Sequence, residues 1–264
     1  MTTACEVTLI TPDKHRADAC AKAILSEAKR LEKKYNYFDD FSYLSQINQR
    51  KENRLDSETK SILQRALRYY KLTDKIFDVT VATIKDLYRE EKRGEALHVK
   101  REKLLEYVGC EHIKIKKECI SFDNDYTKID LGGFVKELAV DNAVKMVKKA
   151  KIASALINFG GDIYAHGRRE DGSKFRIGVK NPKNPDEHIA YFELENEALA
   201  TSASYERNYK IEDEVYSHII ATCKVEKEML SATVISSTCV ESGVYATALM
   251  INSELPCKNK IYLV

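Results

Sequence analysis

The sequence predicts an α+β fold, a mixed α/β chain with a strand-rich C-terminal half. Three observations predict it. Apolar residues recur at helical spacing through most of the first 150 positions and alternate at strand spacing through most of the rest. Strand pairs recur as hairpins, which join antiparallel neighbours. The element order lacks the steady strand-helix-strand alternation of a doubly wound sheet, and no Pro/Gly/Ser-rich linker divides the 264 residues, so residues 1–264 are expected to form a single domain.

The elements follow in order. Residues 4–10 alternate as a strand, and ADACAKAILSEAKRLEKKY carries Ala, Ile and Leu at helical spacing and ends near Tyr35. SETKSILQRALRYYKLTD is a second helix, with Asp56 or Ser57 as N-cap and Ile62, Leu63, Ala66, Leu67 and Tyr70 on one face. IFDVTVATIKDLYR starts extended and turns helical, KREKLLEYVG is a short helix, and HIKIKKECISFD is a hairpin. From Leu131 a helix enters through Gly132 and Gly133, with Val135, Leu138, Ala139, Ala143, Val144, Met146 and Val147 on its buried side. SALINF and DIYAHG flank a second Gly-Gly pair as strands, since a tight hairpin with positive φ explains NFGGDI. FRIGVK, IAYFELE, ALATSA, YERNYKI, VYSHII and MLSATVIS continue as strands, VESGVYATALMIN is the last helix, and IYLV closes the chain.

Composition narrows the function classes. The 43 basic and 41 acidic side chains nearly cancel, so no global field steers the chain toward nucleic acid. Lys145, Lys148, Lys149 and Lys151 read as a solvated helix face. No apolar run approaches the ~20 residues of a membrane helix. The opening MTTACEVTLITP lacks the basic start and apolar stretch of a signal peptide, so the expected compartment is the cytoplasm, although an exported form numbered from a new methionine would read the same. Seven cysteines form no CxxC pair and are expected as reduced thiols.

DLGG at 130–133 opens a helix, and exposed amides there attract anions while glycine lets a phosphate approach the backbone. The spacing fits neither GxGxxG nor GxxxxGK[ST]. A turn without a ligand explains these residues as well, and Lys136 is either a phosphate partner or solvated. Thr201, Ser202 and Thr247 could touch metal or phosphate. His218, alternating with apolar neighbours, fits a structural strand histidine.

Read together, FDVTV (77–81), DLGGFVKELAVD (130–141), INFGGDIYAHG (157–167), ATSASYERNY (200–209), YSHII (216–220) and YATALM (245–250) resemble the ApbE-type family of FAD:protein FMN transferases, from Met1 to about Asn252. The resemblance implies an ApbE-like fold and a metal-dependent transferase. Such an enzyme binds FAD, cleaves it with Mg2+ and joins FMN by a phosphoester to Thr or Ser of a target protein, releasing AMP. The alternative it implies is an impaired FAD-binding relative that holds or delivers flavin. It places Met1 near the flavin, and Ser42, Ser45 and Asn48 match a Ser-x-x-Ser-x-x-Asn register that sets Phe38 on the isoalloxazine. Phe77 and Asp78 would line the cofactor, Asp130 would serve the adenosine side and Lys136 would contact the cofactor. The Gly133 carbonyl and the Thr247 hydroxyl would be metal ligands, and His218 a candidate for orienting the attack.

Departures accompany the match. Gly243 stands where the family's metal-binding aspartate is expected, HIIATCKVE lacks the Asp, Pro and Gly that follow the family histidine, Ala203 replaces a glycine, and Ala82-Thr83 replaces Gly-Pro. Magnesium is therefore expected to bind weakly without FAD, with Glu241 or Asp162 as the substitute carboxylates.

Overall fold

The computed structural model describes residues 3–91, 94–204, 208–223, 225 and 227–264, with the side chains of residues 94, 95, 185, 208 and 214 left aside. In chain order the elements are β1 (Cys5–Ile10), α1 (Lys14–Tyr35), α2 (Tyr43–Asn48), α3 (Ser57–Leu72), α4 (Ala82–Glu90), α5 (Gly94–Leu105), β2 (Ile113–Lys116) and β3 (Cys119–Phe122). They continue as α6 (Gly132–Lys149), β4 (Ser154–Phe159), β5 (Asp162–His166), β6 (Phe175–Asn181), β7 (Asn184–Leu194), β8 (Glu197–Ala203), β9 (Asn208–Ile211), β10 (Glu214–Ser217), β11 (Ser231–Ser236), α7 (Cys239–Ile251) and β12 (Lys260–Leu263). The fold is α+β, as the sequence predicts.

Six strands form one sheet in the order β1-β4-β5-β8-β11-β12, with every neighbouring pair antiparallel. The period of two sorts side chains between its faces. On β4, Ala155, Ile157 and Phe159 join the core shared with α1, α3, α6 and α7, while Leu156 joins a smaller core under the β6–β7 hairpin. On β11, Ala232 and Val234 face the helices and Ile235 faces the hairpin. The sheet is thus the middle of three layers. A further cluster of Ile84, Leu87, Tyr88, Leu97, Ile211 and Ile220 ties α4 and α5 to the β9–β10 hairpin.

Local signals explain the boundaries. Asp56 caps α3 by accepting from the Thr59 amide at 2.8 Å. Gly160 and Gly161 take φ of 62° and 93° between Phe159 and Asp162, the two-residue hairpin that needs positive φ at both positions. A β-carbon on Gly160 would also lie 2.0 Å from Thr3 Oγ1, so this turn seats the start of β1. All seven cysteines are free.

Several elements differ from expectation, β7 among them, which begins at Asn184 and not at Ile189. The helix expected from Lys100 begins at Gly94 and ends at Leu105, because Leu97 is buried and belongs to it. The strand expected through Ile220 stops at Ser217, where the four-pair β9–β10 ladder ends and Ile219 and Ile220 turn into different cores. YERNYKI is a strand only from Asn208, with residues 205–207 outside the described residues. The six-residue α2, absent from the expectation, is capped by Ser42, which accepts from the Ser45 amide at 3.1 Å.

Candidate functional site

Two polar clusters meet along the first half of α6. The outer one is built where three segments converge on Asp130. Asn48, the last residue of α2, donates to the Ile129 carbonyl and accepts from the Ile129 amide, both at 2.8 Å. The Asp130 amide donates to the Val79 carbonyl at 2.8 Å. These bonds hold residues 129–130 against α2 and the 77–81 segment, which sets the direction in which α6 starts.

Asp130 Oδ1 accepts from the Gly132 amide at 2.8 Å, and Oδ2 pairs with Lys85 from α4. The Lys85 ammonium also lies 4.8 Å from the centre of the Phe38 ring, as does the Arg89 guanidinium. Phe38 itself is 59% exposed, so the ring lies at the surface with the two cations over it. Gly132 and Gly133 are exposed at the entrance of α6. Lys85 escaped sequence reading because nothing in IKDLY separates it from a solvated helix lysine.

Phe77 and Asp78 are placed differently from each other. Phe77 is buried with its ring 6.4 Å from that of Phe134, and a β-carbon built on Gly133 would touch it at 4.0 Å. Asp78 is buried, and its Oδ1 accepts from the Thr80 amide (2.8 Å), the Thr80 hydroxyl (2.7 Å) and the Cys110 thiol (3.2 Å). Burial raises its pKa despite those bonds. These contacts make it the cap of the 79–81 turn. Met1 lies outside the described residues.

The inner cluster lies where α6 crosses α7. Asp162 opens β5 opposite Phe159, and cross-strand partners share a face, so its carboxylate points toward α6. Lys136 Nζ sits 2.6 Å from Asp162 Oδ2. The approach lies off the hydrogen-bonding axis, so the attraction is chiefly coulombic. Burial alone would lower the Lys136 pKa, but Asp162 and Glu137 more than offset it, and the ammonium stays charged. Lys136 is therefore paired with Asp162, with its side chain 25% exposed.

Glu137 completes the cluster and was missed in the sequence. It is 5% exposed, and a β-carbon built on Gly243 would lie 2.6 Å from its Cγ. The usable signal was the glycine itself, since glycine inside an apolar helix costs stability and marks a close approach. Burial first, then the neighbouring Asp162, pushes the Glu137 pKa well above the usual carboxylate range, and burial raises that of Asp162 against the pull of Lys136. Two acids and one ammonium share this space, and an unpaired buried carboxylate costs several kcal/mol, so the pair holds a proton near neutrality.

That proton has a consequence for stability. Glutamate in an unfolded chain titrates near ~4.3, so between that value and the raised pKa of the folded state the folded chain binds a proton that the unfolded chain does not. This contribution is complete below the unfolded value and is lost as pH rises through the folded one. The melting temperature of the metal-free protein is expected to fall from pH 5 to pH 9 more steeply than that of Glu137→Gln. Parallel curves would move the proton elsewhere.

Thr247 lies one turn beyond Gly243 on α7, half-buried, with its hydroxyl 3.1 Å from that of Ser202 on β8. Glu241 engages Asn259, which donates to its Oε1 at 3.3 Å. Asp141, one turn after Glu137 on α6, accepts from the Cys239 and Val240 amides at 2.7 and 3.3 Å and so caps α7 from the neighbouring helix. His218 follows β10, half-buried, on a segment pinned by Ile219 and Ile220 in two cores. Thr201 pairs with Thr233 within the sheet at 2.9 Å.

Among the described residues no three His, Cys, Asp or Glu side chains converge as a metal cage. The donors near the crossing are a hydroxyl, backbone carbonyls and carboxylates. Such a hard oxygen set fits a magnesium ion that takes its remaining ligands from phosphate and water. Among the described residues no helix is long and apolar enough to cross a membrane.

Comparison with known proteins covers the same elements. Residues 1–256 match the sequence model of the ApbE family. The chain is 29% identical over 257 positions to the FAD:protein FMN transferase of Vibrio cholerae, covering 89% of this chain and 75% of that protein. It is 23% identical over 202 positions to the FAD:protein FMN transferase of Salmonella typhimurium, covering 72% of this chain but 58% of that relative's length. In fold it is similar to the ApbE protein of Thermotoga maritima, with a TM-score of 0.87, 24% identity, and coverage of 99% and 93% of the two chains. The Vibrio cholerae flavin transferase ApbE follows with a TM-score of 0.80, 21% identity, and coverage of 100% and 94%.

Proposed function

The chain belongs to the ApbE family, and from that premise we propose that it is an FAD:protein FMN transferase. The observation that carries this reading is the assembly at the entrance of α6. An exposed aromatic ring, the Lys85–Asp130 pair and an open glycine turn adjoin the crossing that holds Glu137 and Gly243, with Thr247 one turn further along α7. A flat ring system joined to a pyrophosphate matches that sequence of surfaces.

In the proposed reaction a Thr or Ser hydroxyl of the acceptor protein attacks the phosphorus on the FMN side of FAD. A new P–O ester bond forms as the pyrophosphate P–O bond breaks, the hydroxyl proton passes to water, and AMP leaves with the bond's electron pair. Phe38 holds the isoalloxazine, and the amides at Gly132 and Gly133 face the phosphates. His218 is assigned to orienting the acceptor, and Phe77 supports the Gly133 turn from below. The Gly133 carbonyl and Thr247 hydroxyl would hold magnesium, which when bound would offset charge on the two phosphates as they separate.

Incubation with FAD, magnesium and a protein bearing an acceptor Thr or Ser tests this. Acceptor mass should rise by one FMN with stoichiometric AMP release. FAD binding without either product would make the chain a flavin carrier instead.

The aromatic contact has its own test. Phe38→Ala should lose roughly 1 kcal/mol or more of FAD affinity, about fivefold or more, read by quenching of flavin fluorescence. Its melting temperature should stay near wild type, because the ring is already 59% exposed. Unchanged affinity would leave Phe38 as ordinary surface.

A further inference from the structure

Two carboxylate oxygens near the α6–α7 crossing, Asp162 Oδ2 and Glu137 Oε2, are buried without a hydrogen bond, and only the first has the Lys136 ammonium against it, at 2.6 Å. Glu137 Oε2 has no hydrogen-bond partner within the protein, although the side chain is almost fully enclosed. Buried polar atoms are nearly always paired, so an orphan of this kind points to a ligand. The opposing helix presents glycine at the point of contact, and the space a side chain at 243 would need is occupied by Glu137. A β-carbon there would lie 2.6 Å from Cγ, 3.0 Å from Oε1 and 3.1 Å from Cδ.

We propose that Glu137 is the carboxylate this chain offers to a hard divalent cation at the α6–α7 crossing, reaching across from α6 to the position that a side chain at 243 would otherwise serve. The exchange is sterically exclusive. An aspartate at 243 and a glutamate at 137 compete for one volume, so one helix or the other supplies the carboxylate.

The spacing of the other oxygen donors agrees. Gly133 precedes Glu137 by one turn on α6, and Thr247 follows Gly243 by one turn on α7, so i to i+4 relations place all four positions along the same stretch of the crossing. The surrounding charges leave room for a cation. Lys136 is the cation shared by Asp162, which it touches, and Glu137, and Asp141 is taken up by the α7 amides, so two carboxylates face one ammonium. Cys239, also close by, is held as a neutral thiol by burial and by the nearby acids, which removes it as a soft ligand. Oxygen donors without histidine or thiolate select magnesium or manganese over zinc.

The inference rests on the transferase reading for the physiological cation, and its test is independent of turnover. Mn2+ binding in the presence of FAD is measured by loss of the free-ion electron paramagnetic resonance signal. The proteins are wild type, Glu137→Gln, Gly243→Asp, and the double variant Glu137→Gly with Gly243→Asp. Wild type should bind one Mn2+, and Glu137→Gln, which is isosteric, should bind at least tenfold more weakly with an unchanged circular dichroism spectrum. Gly243→Asp alone should melt earlier, from overlap with Glu137, and gain no affinity. The double variant returns the carboxylate to α7 and should recover affinity to within a few-fold of wild type. Equal Mn2+ binding by wild type and Glu137→Gln, or no Mn2+ bound by wild type, overturns the proposal. Normal Mn2+ binding with no AMP release overturns the transferase reading alone.

Discussion

Thr247→Val is expected to reduce FMN transfer on the order of 100-fold or more while leaving FAD affinity within roughly threefold of wild type, since removing one preorganised oxygen at a developing charge has effects of that size. Valine keeps the branched shape that α7 already accommodates, so the change subtracts a hydroxyl and little else. That hydroxyl is 3.1 Å from the Ser202 hydroxyl, so Ser202→Ala is the control for loss of the pair itself. AMP release and FMN attachment, followed against magnesium concentration, provide the measurement. Transfer at the wild-type rate would remove Thr247 from the metal site. Loss of FAD binding together with a lower melting temperature would make it a packing residue.

The largest effect on stability is expected at Asp141. Its two oxygens receive the first amides of α7 from the neighbouring helix, and Asp141→Ala leaves both donors buried without an acceptor. Charge-assisted bonds of this kind contribute about 1.5–3 kcal/mol, and the lost cap adds to that, so roughly 3 kcal/mol is expected. For a chain of this size that corresponds to a fall of roughly 5–10 °C in melting temperature. Asp141→Asn, which keeps one acceptor, should fall by less. Burial raises the Asp141 pKa against the pull of the two amides, so desolvation offsets part of what the cap contributes. Because α7 carries both Gly243 and Thr247, activity in Asp141→Ala should drop even at temperatures where the chain is folded. A melting temperature equal to wild type would mean that Thr238, which accepts from the Glu241 amide at 3.3 Å, caps α7 alone.

The parts of the fold that were legible are those with a long period. α1, α3, α6 and α7 each run for three turns or more with apolar residues at helical spacing, and the two-residue Gly160-Gly161 turn declared its hairpin through positive φ. The parts that were not legible are short or depend on distant partners. α2 spans six residues, too few for a period to emerge, and is held by Ser42 and by Asn48 gripping Ile129 across 81 positions of sequence. The strand through His218 broke early because alternating apolar residues in VYSHII serve two different cores.

The site divides in the same way. The expectations at Asp130, Gly133 and Thr247 rest on a resemblance carried by single segments of the sequence, and Gly243 stands out there as a departure from a pattern. Glu241 and Asp162, the carboxylates nearest at hand in the sequence, turn out to be bound to Asn259 and Lys136. Glu137 could not be chosen from its neighbours, since VKEL fits a surface turn as well as a buried one.

The sequence by itself therefore determined the order of elements, the family, and the absence of a carboxylate at position 243. Only the tertiary structure decided which side chain occupies the space so vacated, because that depends on how closely α6 and α7 pack. A missing β-carbon on one helix is a local fact, but the volume it releases is filled by whichever residue the opposing helix presents at that height, and sequence separation carries no information about that distance.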